Sequence, residues 1–159
     1  MMMRNLALIA LLAVAMTGCV STTAPHEYGN FVAPSAPANV NEMIAADTTK
    51  QLMILYPPAS TRFDLGQPTT DAYGAKLAQS LRLSGYAVSD FVPAAAPNSA
   101  NGSGTVSTSP GVKLRYVIDA PEGLNLYRVT VMVGNQSLSR AYIAENQTVS
   151  PAGAWARKE

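Results

Sequence analysis

In this 159-residue chain, the clearest signature of a chemical reaction is the sequence around the single cysteine, Cys19. An apolar run with a basic residue ahead of it, Leu6–Met16, has the length found in signal peptides and is too short for the roughly 20 apolar residues of a membrane-spanning helix. Met16 is followed by two small residues, Thr17 and Gly18, immediately before Cys19. Lipoprotein signal peptidase recognises this pattern, so we predict cleavage after Gly18 and attachment of a diacylglycerol and an N-acyl chain to Cys19.

The residues around Cys19 also predict where the protein is held. Two or three acyl chains, at about 0.8 kcal/mol per buried methylene, anchor a protein stably to a membrane. The next residue is Val20, whereas an aspartate at this position usually retains a Gram-negative lipoprotein in the inner membrane. We therefore predict attachment to the periplasmic face of the outer membrane. Since Cys19 is the only cysteine, the fold cannot contain a disulfide and must depend on a hydrophobic core.

Other side chains capable of catalysis are isolated from one another in the sequence. The only histidine, His26, lies in a proline-rich stretch and is more simply a solvated linker residue than a general base. Without a second histidine or a free cysteine, zinc and thiol chemistry lack ligands. Asp64, Asp90 and Asp119 occur singly on polar strand faces or at strand ends, so no glycosidase-type pair of carboxylates is predicted. We predict no enzymatic activity, no catalytic residue, no metal and no cofactor other than the lipid.

Charge and aromatic residues indicate what the chain binds. The 11 Lys+Arg and 10 Asp+Glu residues provide no basic field for phosphate backbones, so we expect no direct contact with nucleic acid. Tyr28 and Phe31 stand in an otherwise featureless proline-rich stretch, where they either dock on the chain's own domain or are captured by a partner protein. Trp155 follows the last predicted strand, and it either closes the core or anchors a partner.

These patterns divide the chain into three segments. Residues 1–18 are predicted to be the lipoprotein signal peptide, and residues 19–38 the lipidated cysteine with a flexible tether. Residues 39–159 are predicted to form one small α+β domain in the periplasm, with two helices packed on a mixed, mostly antiparallel sheet. Within it, the low-complexity residues 93–110 predict a flexible loop.

Periodicity and capping residues predict the elements of this domain. Asn39 and Glu42 are expected to cap the first helix. Thr70 and Asp71 are expected to open the second helix, and Gly85 to end it. Gly74 and Ala78 lie beside the apolar stripe of the second helix, where another backbone could approach closely. Apolar residues recur at helical spacing over 40–56 and 70–84, and they alternate with polar residues, as in strands, over 59–65, 86–92, 112–119, 127–133 and 138–144.

Several short motifs stand out beside the residues preceding Cys19, namely Tyr28–Phe31, Leu55–Thr61, Leu81–Tyr86, Tyr127–Val129, Ser139–Tyr142 and Gly153–Trp155. Together they resemble the TrbH family of conjugal transfer lipoproteins. The resemblance implies a structural subunit of the outer-membrane core complex of a conjugative type IV secretion system, acting in assembly of the DNA-transfer or pilus channel. Its partners would be other core-complex subunits, and its copies would form a homo-oligomeric ring within the larger complex. A secretin pilot or another envelope-assembly lipoprotein, or an entry-exclusion or inhibitor lipoprotein, would share the same anchor and domain.

Overall fold

Two α-helices, a short 3-10 helix and seven strands form the described part of the domain. A computed structural model of the chain describes residue 32 and residues 37–93, 110–121 and 124–159. The described part confirms the predicted α+β class, with both helices packed on a mixed sheet. In chain order the elements are α1 (Ala38–Leu55), a short 3-10 helix (Pro58–Ser60), β1 (Arg62–Leu65), α2 (Ala72–Leu83), β2 (Ala87–Ser89), β3 (Val112–Asp119), β4 (Leu126–Val133), β5 (Gln136–Glu145), β6 (Thr148–Pro151) and β7 (Ala156–Lys158).

Helix α1 buries the face that its periodicity predicts. Ile44, Thr48 and Leu52 are each at most 1% exposed, and they recur at the four-residue spacing of one helix face. Two of the buried positions are threonines, at 48 and 49, and their hydroxyls donate 2.9 Å hydrogen bonds to the carbonyls of Ile44 and Ala45. Polar side chains can therefore lie inside the core because the helix backbone itself satisfies them.

The predicted cap of α1 is wrong. Pro37 is the N-cap residue, and no side chain caps the helix. Its φ of −58° is already compatible with the first turn, so the helix begins before Asn39 can act as the cap. The amide of Asn39 instead donates a 2.8 Å hydrogen bond to the carbonyl of Gln147, which ties the start of α1 to the far end of the sheet.

Helix α2 begins and ends at the predicted signals. The side chain of Asp71 accepts a 2.8 Å hydrogen bond from the backbone amide of Gly74, as an N-cap residue does. At the other end, Gly85 has a φ of +88°. The amide of Tyr86 donates to the carbonyl of Leu81 at 3.1 Å, which completes a Schellman motif. This turn directs the chain straight back into β2.

The sheet has the order β2-β1-β3-β4-β5-β6, and β7 also pairs with β5. β1 is parallel to β2 and β3, while the remaining pairs are antiparallel. Helix α1 runs antiparallel to β5, since Asn39 contacts Gln147 near one end and Tyr56 contacts Gln136 at the other. Helix α2 connects the parallel strands β1 and β2, so it also runs antiparallel to them. Both helices therefore run in the same direction, and both end at the end of the sheet where β3 begins.

The strand predicted over 86–92 is limited to β2, Ala87–Ser89. Two further strand predictions need correction. The chain from Pro58 to Ser60 forms a 3-10 helix, so the strand predicted over 59–65 begins only at Arg62. A proline pair at 57 and 58 sets φ near −60° and permits the short helical turn before the chain extends. The second correction is that the tail contains two further strands, β6 and β7, which the sequence did not predict.

One face of the sheet carries the core and packs against the helices. Strands β3 and β4 show the alternation that this requires, since every second residue is buried. The side chains that are at most 1% exposed on this face come from four strands and are Phe63, Leu114, Tyr116, Ile118, Val129, Val131, Leu138 and Tyr142. No helix in the described residues is both long and apolar enough to span a membrane.

Candidate interaction site

The polar groups between the helices and the sheet form an internal network built on three tyrosines. The Tyr116 hydroxyl donates a 2.5 Å hydrogen bond to the carboxylate of Asp71, the capping residue of α2. The ring of Tyr73 lies 4.7 Å from that of Tyr116, and its hydroxyl donates to the Thr48 hydroxyl at 3.1 Å. A single cluster therefore connects α1, α2 and β3.

The third tyrosine connects β5 to α1. The Tyr142 hydroxyl donates to the Asp47 carboxylate at 2.7 Å, and the same oxygen accepts a 2.8 Å hydrogen bond from the guanidinium of Arg140. Arg140 and Asp47 side chains are only 19% and 29% exposed. Such partly shielded, charge-assisted bonds contribute more than the surface ion pairs of the same domain. We refer to Tyr73, Tyr116 and Tyr142 as the tyrosine network.

Electrostatics keep the tyrosine network protonated. Burial raises the pKa of Tyr73, Tyr116 and Tyr142 well above the ordinary value of 10.0. For Tyr116 and Tyr142 the hydrogen bond to a neighbouring carboxylate raises the pKa further, because ionisation would place two negative charges side by side. The three hydroxyls therefore act as hydrogen-bond donors at neutral pH. Their role in this geometry is to orient the helices on the sheet.

The carboxylates singled out in the sequence are each paired with an arginine. Asp90 lies 2.6 Å from Arg82, and Asp119 lies 2.8 Å from Arg128. Asp64 lies 3.4 Å from the arginine two residues before it, and it also accepts a 2.7 Å hydrogen bond from the amide of residue 111. Within the described residues, no three His, Cys, Asp or Glu side chains are grouped so that they could hold a metal ion.

Trp155 lies against the domain. Its ring is partly buried against the core, and the Arg140 guanidinium lies 5.9 Å from its centroid and 5.8 Å from that of Tyr142. The Arg140 Nε also donates a 2.8 Å hydrogen bond to the carbonyl of Gly153. The tail thus folds back over the ion pair and continues as β7 beside β5. A role of Trp155 in binding a partner stays a prediction.

The other predicted site residues lie outside the described part of the chain. These are the peptidase pattern and lipidation site, Met16 to Cys19, and the tether aromatics Tyr28 and Phe31. Their roles stay predictions. The residue after Phe31 is described, however: Val32 forms a parallel β-bridge with Ile118 and packs, partly buried, against the core.

Comparison with known proteins gives one result. The family model described as conjugal transfer protein TrbH matches residues 25–159, which include the whole domain. The chain belongs to the TrbH family. No curated protein and no solved structure matches it significantly. The resemblance noted from the sequence is confirmed, and membership assigns this TrbH protein to conjugal transfer by type IV secretion.

In the described part of this TrbH protein, two surfaces carry side chains that another protein could cover. At the C-terminal ends of the parallel helices, Ile54 and Leu83 are 74% and 82% exposed. We call these two residues the helix-end surface. The prediction from the sequence missed it, although both residues interrupt otherwise polar helix faces. When a partner covers aliphatic side chains that are this exposed, apolar surface is removed from contact with water, which favours binding.

The second surface is the face of the sheet opposite the helices, over which the described residues place no further element. Val117, Thr130 and Ser139 lie side by side across its middle because they are in register on β3, β4 and β5. All three side chains are uncharged, while the ion pair of Asp119 and Arg128 lies on one side of them and Arg115 on the other. An uncharged strip of this kind can pack against another protein with little desolvation of charge.

Proposed function

We propose that this TrbH protein is a lipid-anchored structural subunit of the outer-membrane core complex of a conjugative type IV secretion system. The observation that carries this proposal is that the family match over residues 25–159 follows a lipidation pattern ending at Cys19. The lipid holds the protein at the periplasmic face of the outer membrane. The domain then contributes contacts to the channel or pilus assembly and performs no catalysis.

The surfaces of the domain support a role in assembly. Ile54 and Leu83 project apolar side chains from the same end of the domain, because the two helices run in the same direction. In the proposed complex they contact a neighbouring core subunit, and several copies form a ring. Many copies held on one membrane gain avidity, since each contact forms at a high effective concentration. Weak individual contacts are then enough for a stable complex.

The lipid anchor is tested by comparing two substitutions at the predicted cleavage site. Cys19→Ala removes the acceptor thiol, so radiolabelled palmitate should not be incorporated and transfer frequency from the donor should fall by at least about a hundredfold. Val20→Asp keeps the thiol and changes only the residue that follows it. It should still incorporate palmitate but move to the inner-membrane fraction of a density gradient, with a similar loss of transfer. If donor cells that carry Cys19→Ala transfer at the wild-type frequency, the anchored-subunit proposal is contradicted.

The assembly role is tested by changing the helix-end surface. Ile54→Asp with Leu83→Asp should leave palmitate labelling and the folded domain intact but abolish co-purification with the other core subunits in mild detergent. Val92→Asp is the matched control, because Val92 is a similarly exposed aliphatic residue, 81%, outside this surface. Unchanged co-purification and transfer in the double variant would refute the assigned surface.

The same strains separate the proposal from its alternatives. A core-complex subunit is required in the donor, so its deletion lowers transfer while its presence in the recipient has no effect. An entry-exclusion lipoprotein would instead lower transfer into recipients that carry it. A secretin pilot would co-purify with a secretin and would be needed for the secretin to reach the outer membrane. Either of the last two outcomes would replace the proposed function.

A further inference from the structure

The edge of β3 is left partly open by the shortness of β1. β1 ends at Leu65 opposite Leu114, whereas β3 continues to Asp119. The carbonyl of Leu114 accepts a 2.8 Å hydrogen bond from the amide of Gly66, so even-numbered residues of β3 direct their backbone groups toward this edge. The next such residues, Tyr116 and Ile118, lie beyond the end of β1 and need other partners.

Two different segments complete that edge. The side chain of Gln67 is only 3% exposed, and its carbonyl oxygen accepts a 3.0 Å hydrogen bond from the amide of Tyr116. One position further along, Val32 forms a parallel bridge with Ile118 and is partly buried against the core. Gln67 therefore bounds one side of a slot beside Ile118, and Val32 from the N-terminal part of the chain fills it.

We propose that this slot is the docking site for the membrane tether of the same chain, with Val32 as the residue held there. A β-branched side chain suits the position, because it lies beside the fully buried Ile118 and extends the apolar row of the sheet. Within the described residues, the attachment comprises one β-bridge and one partly buried side chain. Such a contact opens and recloses readily, so the docked tether is a reversible clamp.

Docking of Val32 shortens the part of the tether that is free to extend, and this consequence depends on the proposed lipid anchor at Cys19. Val32 is thirteen residues after Cys19, while the helical domain begins nineteen residues after it, at Ala38. An extended chain spans at most about 3.5 Å per residue, so the clamp limits the reach from about 65 Å to about 45 Å. Release of Val32 would lengthen the free part of the tether and allow the domain to reach a more distant subunit.

Limited proteolysis of the lipidated, detergent-purified protein tests the clamp. Chymotrypsin cleaves after Phe31, next to the clamped residue, and after Tyr28, which is three residues further out and serves as an internal reference. In the Val32→Asp variant the cut after Phe31 should be at least about tenfold faster relative to the cut after Tyr28, because a carboxylate disfavours the apolar slot. Val32→Ile should cleave like the wild type, and Val92→Asp controls for an added charge elsewhere.

Hydrogen exchange of the same variants supplies a second readout. The Ile118 amide should exchange at least about tenfold faster in Val32→Asp, while the amide of Val131 in the sheet centre stays unchanged. The proposal is overturned if the wild type is cut after Phe31 as fast as after Tyr28, or if Val32→Asp changes neither measurement. Protection that disappears on dilution would show that the slot holds the tether of a second copy or of a partner, and would overturn the same-chain assignment. The mass of the mature N-terminus reports the lipid separately, so loss of the clamp and loss of the anchor are distinguishable.

Discussion

Replacing Gly74 by alanine sets two effects in opposition. Gly74 lies in the first turn of α2, directly over the tyrosine network. A Cβ atom at this position would overlap the hydroxyl oxygen of Tyr116 and would lie 2.9 Å from its Cζ. It would also lie 3.0 Å from a carboxylate oxygen of Asp71, the group to which that hydroxyl donates. The glycine is therefore required by the close approach of Tyr116 to the helix backbone.

The magnitude follows from the groups that must move. Alanine favours a helix interior over glycine by about 1 kcal/mol, which would stabilise the domain if there were space. To make room, the Tyr116 ring must shift and lose its charge-assisted hydrogen bond, which contributes about 1.5–3 kcal/mol. Overpacking a well-filled core costs about 1–3 kcal/mol more. The net expectation is destabilisation by about 1.5–5 kcal/mol, or a fall in Tm of roughly 5–25 °C for a domain of this size.

Urea and thermal denaturation followed by circular dichroism measure this difference. Gly153→Ala is the matched control, because an added Cβ at Gly153 meets no atom within 4 Å, and its effect should stay within about 0.5 kcal/mol. Combining Gly74→Ala with Tyr116→Phe removes the overlapping oxygen, so the pair should cost less than the sum of the single changes. A Gly74→Ala protein as stable as the wild type would show that helix propensity dominates and that Tyr116 adjusts freely, which would refute the reasoning.

Three further predictions concern the network, the tail and a turn. The tyrosine network should ionise only on unfolding, because the folded-state pKa values of its hydroxyls lie above the unfolded value. The stabilisation of the folded domain by these groups is therefore present below about pH 10 and is lost above it, at up to about 1.4 kcal/mol per pH unit for each group. Tyrosinate absorbance recorded during urea unfolding would measure this ionisation. Trp155→Ala should destabilise the domain by about 1–2 kcal/mol and expose β7 to carboxypeptidase, whereas Trp155→Phe keeps a ring against Arg140 and should lose less. Gln147→Gly should stabilise the domain by about 0.5–1 kcal/mol in urea denaturation, because Gln147 has a φ of +65° and its carbonyl bond to Asn39 is retained.

The helices could be predicted because their apolar positions and end signals agree. In α2, Asp71 and Gly85 are residues whose side chain or backbone freedom suits one position of a helix terminus, and both occupy that position. In α1, by contrast, Asn39 competes with a proline two residues earlier, and either can start a helix. The proline begins the helix first, and the asparagine is then free to bond Gln147, a contact that depends on the fold of a distant hairpin.

The tail strands could not be predicted from local pattern. β6 and β7 have four and three residues, which is too short for an alternating pattern to be recognised. The turn before β6 has positive φ at Asn146 and at Gln147, and glutamine does not signal such a turn as glycine would. These strands form because β5 offers a long edge with two separate pairing regions, on either side of Arg140.

The polar contacts of the tyrosine network inside the domain could likewise not be predicted from local sequence pattern. Periodicity places Tyr73 on the buried face of its helix and Tyr116 on that of its strand. Their polar partners are another matter: Asp71 is 45 residues from Tyr116, and Asp47 is 95 residues from Tyr142. Neither aspartate stands out in the sequence as a buried partner, since Asp71 reads as a cap and Asp47 as part of a polar helix face. Only the packing of α1 and α2 on one side of the sheet brings these groups together.

That packing also places the two proposed contact regions at opposite ends of the domain. The helix-end surface lies where β3 begins, because both helices run antiparallel to β3 and end there. The slot for Val32 lies near the other end of β3, at Ile118, six residues or about 20 Å further along the strand. If the tether is held at one end and subunits bind at the other, the two functions separate genetically. Ile54→Asp with Leu83→Asp should then abolish subunit contacts without changing the cut after Phe31, and Val32→Asp should release the tether without preventing those contacts.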